Sequence, residues 1–312
     1  MEEPIVLVLL ATYNGAAYIR QMVDSVLGQD YPNIRIILSD DGSTDATVSI
    51  LDEYAAKIPD RVTHYRSGRR FGCAQKHFLH LLRTFRDAPY IMFCDQDDVW
   101  HPDKIEKTLA VMRSLETDPA VPVLVHTDLR VVDGNLQETA PSFCRLSNLD
   151  GNRTALNQLL VQNVVTGCTV MLNRSLAALA CRKPIAGNIL MHDWWLAILA
   201  AATGKVGFLP EATIDYRQHG TNSVGAKNAR SLSYLWKRFT TRDTRRVLVD
   251  TARQTALFLS CYSDLLQPPQ LSMLTDFANT AEAPWHTRIS IYRKHRIWKY
   301  GTLRVLAQII GG

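Results

Sequence analysis

The sequence predicts an α/β fold, in which a mostly parallel sheet carries helices on both faces and a mainly helical extension follows. Three observations favour this fold class. Continuous apolar runs such as IVLVLLA, IRIILS and YIMFC are typical of buried parallel strands. Segments with helical spacing separate these runs over the first hundred residues. After Tyr216 the strand patterns fade, so we expect mainly helices there.

The first half of the predicted sheet alternates strands and helices. IVLVLLA predicts a strand, and apolar residues at spacings of three and four from Ile19 to Leu27 predict the helix after it. IRIILS predicts a second strand, DDGSTDATVSIL leads into a second helix, and RVTHY predicts a third strand. A third helix runs from His77 to Phe85, and the strand YIMFC ends just before Asp95.

The second half has a less regular pattern. Pro102 favours the start of a helix that continues through Met112, and VPVLVHTDLRVVD predicts a strand leading to a turn at Gly134. CTVML and ATIDYR are further strand candidates. HDWWLAILAAAT predicts a helix that begins with His192 and Asp193.

Charge is distributed unevenly along the 312 residues, although the formal net charge is only +5. From Tyr216 onward there are fifteen Lys or Arg against five Asp or Glu, whereas residues 1–215 hold twenty against twenty-five. This imbalance indicates an anionic partner, either a membrane surface or nucleic acid. The six cysteines are scattered without a CxxC pair, which favours free thiols in a reducing cytosol.

Polar clusters follow three of the predicted strands: TYNG, SDDGSTD and DQDD. In an open α/β sheet the ligand crevice lies beyond the carboxyl ends of the strands, so the three clusters could share one crevice. Carboxylates as crowded as Asp95, Asp97 and Asp98 repel one another and require a cation or a proton. Their hard oxygens suit Mg²⁺ or Mn²⁺, and the alternative is a solvated acidic turn.

The other two clusters are candidates for nucleotide binding. Asp40, at the end of a strand, could accept hydrogen bonds from a base or a ribose hydroxyl, whereas residues 43–45 are better explained as helix caps. Thr12, Tyr13 and Asn14 could add backbone amides, a stacking ring and a side-chain amide. The alternative for Asn14 is that it only caps the following helix.

Two further motifs carry candidate site residues. Asp193 could be a general base that takes a proton from an attacking hydroxyl, or it could simply favour the helix start. A tryptophan beside it could offer a flat apolar surface to a sugar, although paired tryptophans are often core. In YRQHGTNS, His219 could reach a metal or a diphosphate, with Arg217 as a phosphate partner, but a lone histidine is usually structural.

Missing motifs narrow the function. The sequence contains neither GxGxxG after the first strand nor GxxxxGK[ST], which weakens the dehydrogenase and P-loop interpretations. It contains no GxSxG elbow either, so nothing supports a serine hydrolase.

Together, TYNG, SDDGSTD, FCDQDDVW and HDWW…YRQHGTNS resemble glycosyltransferase family 2, and DQDDVW with YRQHG is most similar to its bacterial rhamnosyltransferase-type members. The resemblance covers roughly residues 4–222. It implies a Rossmann-like GT-A fold, a nucleotide-diphosphate sugar donor, a divalent metal and inversion at the anomeric carbon. We therefore expect a catalytic domain over 1–215, with a nucleotide-sugar half at about 1–115 and an acceptor half at about 116–215, and an extension over 216–312.

The resemblance also implies roles for individual residues. Asp95 and Asp97 would form the DxD element, with Asp97 the direct metal ligand, and His219 would touch the metal or the diphosphate. Asp193 falls at the position of the base; many relatives carry Glu-Asp there, which leaves the role of His192 open. The nucleoside would be held by Thr12, Tyr13, Asn14, Asp40 and Asp95, and the donor and acceptor pocket by Asp98, Trp100, His192, Trp194, Trp195 and Arg217.

The expected activity is inverting, metal-dependent transfer of a sugar, L-rhamnose from dTDP-rhamnose as the first choice, to a hydroxyl of a lipid-linked bacterial surface-polysaccharide precursor. A UDP-hexose donor is one alternative. A sugar-1-phosphate nucleotidyltransferase and a non-catalytic glycan-binding or membrane-binding protein on a degenerate transferase fold are the others. The QxxRW signature of processive synthases is absent, so we expect addition of one or a few sugars.

The segment RISIYRKHRIWKYGTLRVL mixes aromatic and basic residues without an acidic one, which suits an anionic bilayer surface. The alternative is a helix packed on the catalytic domain with a solvated basic face. Nucleic acid is not expected, because no recognisable binding module is present. These features predict a cytoplasmic protein at the inner face of the plasma membrane.

Overall fold

A computed structural model describes residues 3–218 and 241–311, apart from 186 and 188. The predicted metal contact His219 lies outside these residues. The described strands form one sheet, and they are β1 (Val6–Thr12), β2 (Ile34–Asp40), β3 (Val62–His64), β4 (Tyr90–Cys94), β5 (Val99–Trp100), β6 (Val123–Val132), β7 (Glu138–Ala140), β8 (Met171–Asn173) and β9 (Lys205–Arg217).

Helices follow most strands and continue after the sheet. Those of the described residues are α1 (Ile19–Leu27), α2 (Thr47–Lys57), α3 (Ala74–Phe85), α4 (Lys104–Leu115), α5 (Phe143–Leu146), α6 (Leu156–Leu159), α7 (Arg174–Ala180), α8 (His192–Thr203), α9 (Thr241–Tyr262), α10 (Pro268–Asn279), α11 (Trp285–His295) and α12 (Thr302–Gly311).

The strand order is β3-β2-β1-β4-β8-β6-β9-β5, with β7 paired to β6. The first four strands are parallel, as the alternating strands and helices predicted, and β6 and β9 are parallel as well. Strand β8 runs antiparallel between β4 and β6, so the sheet as a whole is mixed. The reversal arises because the run CTVML bends into a 3-10 turn, Gly167–Thr169, and enters the sheet at the carboxyl end of β4.

Both faces of the sheet are covered by helices, as predicted. Along β1, alternate side chains belong to opposite hydrophobic clusters, Val8 to one and Leu9 to the other. Helices α1, α2 and α4 cover the first face, and α3, α7 and α8 cover the second. Because the carboxyl ends of the central strands stay uncovered by these layers, the polar loops meet there.

The extension is helical in its described part, and it packs on the second face. Trp195 of α8 is fully buried against two rings of α9, with centroid distances of 5.4 Å to Phe258 and 6.0 Å to Tyr262. Trp195 is therefore a core residue between the sheet layer and the extension, rather than part of the sugar pocket to which the sequence assigned it.

The basic and aromatic tail divides into two parts. Ile289 and Tyr292 of α11 and Ile297 just after it are buried, and Asn157 Nδ2 donates to the Arg296 carbonyl at 3.0 Å, so the alternative of packing on the catalytic domain describes α11. In α12, by contrast, Leu303 and Ile310 are exposed. None of the helices in the described ranges combines the length and the apolar character needed to cross a bilayer.

We predict that Phe258→Ala lowers the free energy of unfolding by about 3–5 kcal/mol, because it leaves a cavity beneath Trp195. The matched control Val247→Ala, at an exposed position of α9, should change it by less than about 0.5 kcal/mol. Urea denaturation followed by tryptophan fluorescence measures both. An unchanged midpoint for Phe258→Ala would show that the extension does not stabilise the sheet.

Candidate active site

The loops after β1 and β2 are joined by hydrogen bonds at the carboxyl edge of the sheet. The backbone N–H of Asn14 donates to Ser43 Oγ at 2.7 Å, and Asn14 Oδ1 accepts from the backbone N–H of Thr44 at 2.8 Å. Asn14 adopts a left-handed backbone with φ of 49°, which asparagine tolerates. Its side chain therefore ties two loops together, and it does not cap α1.

The acidic loop after β4 is joined to the loop after β1. Tyr13 N–H donates to Gln96 Oε1 at 2.8 Å, and Gln96 Nε2 donates to the Tyr13 carbonyl at 3.0 Å. A Cβ on Gly15 would lie 2.3 Å from Gln96 Oε1, so a larger residue here would displace the Gln96 side chain from its bonds to Tyr13. All three polar clusters thus meet at one crevice, which the order of the motifs predicted.

Asp40 organises its own turn. Its carboxylate accepts hydrogen bonds from the backbone N–H groups of Gly42 and Ser43, both at 2.8 Å, and from Thr12 Oγ1 at 3.0 Å. These bonds fix the end of β2 beside the end of β1. A nucleoside contact by Asp40 stays a prediction, and the observed bonds show that Asp40 also shapes the loop.

Tyr13 presents an exposed ring at the crevice, with 45% of its surface accessible. The Arg70 guanidinium lies 5.4 Å from the ring centroid, and its Nη2 donates to the Tyr13 hydroxyl at 3.0 Å. A cation against an aromatic ring makes a flat, positively charged surface suited to a base or a phosphate. Arg70 was not among the predicted residues, and the basic run GRR in its loop was the available signal.

Acidic side chains crowd behind this surface. Ligand atoms of Asp95, Asp98 and Cys168 all lie within 4.8 Å of one another. Burial, the Asp97 carboxylate and the Asp193 carboxylate, in that order, raise the pKa of Asp95. Burial and the two neighbouring carboxylates raise the pKa of Asp98 well above its usual range. The structure therefore concentrates negative charge in a region with little water to screen it.

The donor set fits a hard divalent cation. Asp98 Oδ1 accepts the backbone N–H of Arg217 at 3.1 Å, but buried Oδ2 has no hydrogen-bond partner among the described residues. Burial and the neighbouring carboxylates hold the pKa of the Cys168 thiol well above its usual range, and hard divalent cations prefer oxygen to sulfur ligands. Carboxylate oxygens are then the ligands on offer, and they suit Mg²⁺ or Mn²⁺.

Arg217 holds the acidic loop in place. Its Nε donates to the Asp97 carbonyl at 2.8 Å, its Nη1 to the Gly134 carbonyl at 2.6 Å, and its Nη2 to Gln21 Oε1 at 2.6 Å. The guanidinium also lies 4.6 Å from the ring centroid of Tyr18. These bonds make the buried Arg217 a clamp on the acidic loop, and the phosphate contact expected for it stays a prediction.

Asp193 lies in the first turn of α8 and is almost fully buried. Its carboxylate accepts from the backbone N–H of Trp194 at 2.6 Å, from the backbone N–H of Gly167, and from Asn163 Nδ2 at 3.5 Å. Burial raises the pKa of Asp193 to about 7, and these donors oppose the rise. A carboxyl with this pKa can exchange a proton near neutral pH, as a general base must.

The 3-10 turn Gly167–Thr169 brings the two carboxylate groups into one site. Gly167 donates to Asp193, while Cys168 lies beside Asp95 and Asp98. The negative charge of Asp193 also contributes to the raised pKa of Asp95, after burial and the Asp97 carboxylate. Sequence inspection missed this turn, because CTVML appeared to be a plain strand.

Two more predicted pocket residues lie in the core. Trp100 is 2% accessible and lies under the Lys104 ammonium, 4.8 Å from the ring centroid. His192 stacks on Phe78 at 4.7 Å, and burial lowers its pKa to about 3, so it is neutral. Both adjoin motif residues in sequence, and both rings are buried among other side chains.

Of the two tryptophans, Trp194 is the better candidate for the sugar pocket, since it lies beside Asp193 and is not fully enclosed. Its Nε1 donates to the Leu159 carbonyl at 2.6 Å, which fixes the ring next to the loop that carries Asn163. Asn163 itself was missed, because no motif marks a residue 30 positions before its partner.

Sequence comparisons identify the family of this chain. Residues 7–179, more than half of the chain, match the model of glycosyl transferase family 2. The dTDP-rhamnosyl transferase RfbG of Shigella flexneri is 30% identical over 227 residues, which are 70% of this chain and 74% of that protein. An uncharacterized protein of Mycobacterium bovis is 29% identical over 67% of this chain and 57% of its own length.

Solved structures show the same fold at low sequence identity. Residues 1–349 of TarS from S. aureus superpose with a TM-score of 0.57 and 16% identity, covering 88% of this chain and 71% of that one. The mannosyltransferase PcManGT of Pyrobaculum calidifontis was solved with GDP-Man and Mn²⁺. It superposes with a TM-score of 0.54 and 18% identity, covering 99% of this chain and 86% of that one. The fold is thus GT-A-like, and the chain belongs to glycosyl transferase family 2, as a glycosyltransferase.

Proposed function

We propose that this glycosyltransferase is inverting and metal-dependent, and that it moves L-rhamnose from dTDP-rhamnose to a hydroxyl of a lipid-linked bacterial surface-polysaccharide precursor. The observation that supports the mechanism is the turn at Gly167 and Cys168, where one residue bonds the Asp193 carboxylate and the next lies beside Asp95 and Asp98. The choice of rhamnose is supported by the 30% identity to a dTDP-rhamnosyl transferase.

In this mechanism Asp193 takes the proton of the acceptor hydroxyl as the oxygen attacks the anomeric carbon. The bond from that carbon to the diphosphate oxygen breaks, and its electron pair leaves with the nucleoside diphosphate. Attack from the face opposite the leaving group inverts the configuration. The buried setting of Asp193 keeps its basicity high enough to accept the proton near neutral pH.

The acidic loop faces the leaving group. Asp95 and Asp97 would hold a divalent ion, with the unpartnered Asp98 Oδ2 close by. A bound Mg²⁺ or Mn²⁺ supplies positive charge to the departing diphosphate. A mannosyltransferase with the same fold was solved with Mn²⁺, which supports testing this ion first.

The nucleoside is assigned to the joined loops after β1 and β2. The exposed Tyr13 ring with Arg70 against it offers a stacking surface for the base, while Thr12, Asn14 and Asp40 line the neighbouring turn. Trp194 is assigned to the sugar side, next to Asp193.

Donor binding tests the metal assignment. Calorimetric titration with dTDP-rhamnose, UDP-GlcNAc and GDP-mannose, each with Mn²⁺ or with chelator, should give metal-dependent binding of one donor. Asp97→Ala should abolish the metal-dependent part, while the exposed control Asp87→Ala keeps it. If neither chelator nor Asp97→Ala changed donor binding, the proposal that a metal takes part in donor binding would be wrong.

The base assignment predicts a kinetic effect without a binding effect. Asp193→Asn should retain donor affinity and lower turnover by about 10²–10⁴-fold, because it removes the proton acceptor. Since only the ionised carboxylate accepts a proton, wild-type turnover should fall as the pH drops through about 7. A variant with wild-type turnover, measured by release of the nucleoside diphosphate, would exclude Asp193 as the base.

The hydrogen bond from Asn163 to Asp193 predicts the direction in which the pH profile shifts when Asn163 is replaced. Its amide donates to the ionised form of Asp193 and so favours that form. Asn163→Ala should move the acidic limb of the profile to higher pH, and Asn163→Asp should move it farther, because it adds a like charge. An acidic limb that stays in place in both variants would show that Asn163 only shapes its loop.

A further inference from the structure

Four large apolar side chains share an exposed surface at the end of the chain. Trp285 begins α11, and Leu303, Leu306 and Ile310 lie on one side of α12 at spacings of three and four. Their accessible fractions are 52%, 46%, 45% and 63%. Trp285 Nε1 donates to the Ile309 carbonyl at 2.7 Å, which joins the indole to α12. We call these four residues the C-terminal apolar face.

Basic residues predominate near this face, although Glu282 is exposed three residues before Trp285 and Asp276 pairs with Lys294 at 2.7 Å. From residue 285 to the end, the sequence holds six Lys or Arg and no Asp or Glu. Arg293 and Arg296 are exposed beside the buried part of α11. Exposed apolar residues in a segment with an excess of basic ones are typical of surfaces that lie in the headgroup region of anionic bilayers. A two-fold contact with a second copy would instead bring like charges together.

Hydrogen bonds to the chain before α12 connect the C-terminal apolar face to the loop beside Asp193, the proposed general base. The chain just before α12 is held by two bonds: Tyr300 N–H donates to Gln162 Oε1 at 2.7 Å, and Arg153 Nη2 donates to the Trp298 carbonyl at 2.6 Å. Gln162 precedes Asn163, whose amide reaches Asp193. The loop that contacts the start of α12 therefore also forms part of the acceptor side of the site.

We propose that the C-terminal apolar face binds an anionic membrane surface and thereby brings the Asp193 side of the crevice to acceptors carried in that membrane. The binding itself stands on the exposed apolar residues and the basic flank. Only the link to a lipid-linked acceptor rests on the proposed function.

Vesicle sedimentation tests the binding. The full-length protein should pellet with phosphatidylcholine vesicles that contain phosphatidylglycerol, and not with phosphatidylcholine alone. The double variant Leu306→Glu with Ile310→Glu should lower the bound fraction by about tenfold or more. The matched control Leu271→Glu, at an exposed position on α10, should bind as the wild type does.

Light scattering, thermal unfolding and turnover on a water-soluble acceptor separate the alternatives. The proposal expects a folded, monomeric double variant with unchanged donor binding and unchanged turnover on that acceptor. Equal vesicle binding by wild type and double variant, or no binding by either, would overturn it. A wild-type dimer that the double variant loses would overturn it in favour of a second copy. If the wild-type protein bound no nucleotide-sugar donor, that result would count against the proposed function and not against the membrane binding.

Discussion

The crowding of buried carboxylates is the constraint on which the site depends. Asp95, Asp98 and Asp193 approach a single turn, where little water screens their charges, and each has a raised pKa for that reason. The fold compensates in part: Arg217 donates its backbone N–H to Asp98, and Gly167 donates to Asp193. The remaining negative charge suits a divalent ion, which in turn would attract a diphosphate. The end of β4 and the start of α8 supply these carboxylates.

The sequence predicted the layered fold well, because buried parallel strands carry continuous apolar runs and their helices have a clear period. It did not predict that β8 would be antiparallel. The run CTVML has strand-forming residues, but its first part bends at Gly167, and the direction of such a short strand depends on where the chain enters the sheet. Local propensity carries no information about that entry point.

Prediction of the site was good for motif residues and poor for their surroundings. The structure brings the predicted acidic loop and Asp193 to one turn, although a helix-start Asp also has a structural explanation, and their roles stay predictions. Trp195 and Arg217 were assigned to the pocket by their closeness to motifs in sequence, yet side-chain direction puts one in the core and the other against Asp97. Gln96 and Asn163 make contacts over 83 and 30 residues, which one sequence does not reveal.

The central claim is that the acidic loop holds a metal and a diphosphate opposite Asp193. A crystal structure with Mn²⁺ and dTDP, in which anomalous scattering locates the Mn²⁺ ion, tests this most directly. We predict an Mn²⁺ ion bound by the carboxylates of Asp95 or Asp97 and by diphosphate oxygens, with Asp193 facing the open side of the crevice. A nucleotide bound with its diphosphate away from these carboxylates, or an ion bound elsewhere on the chain, would contradict the account.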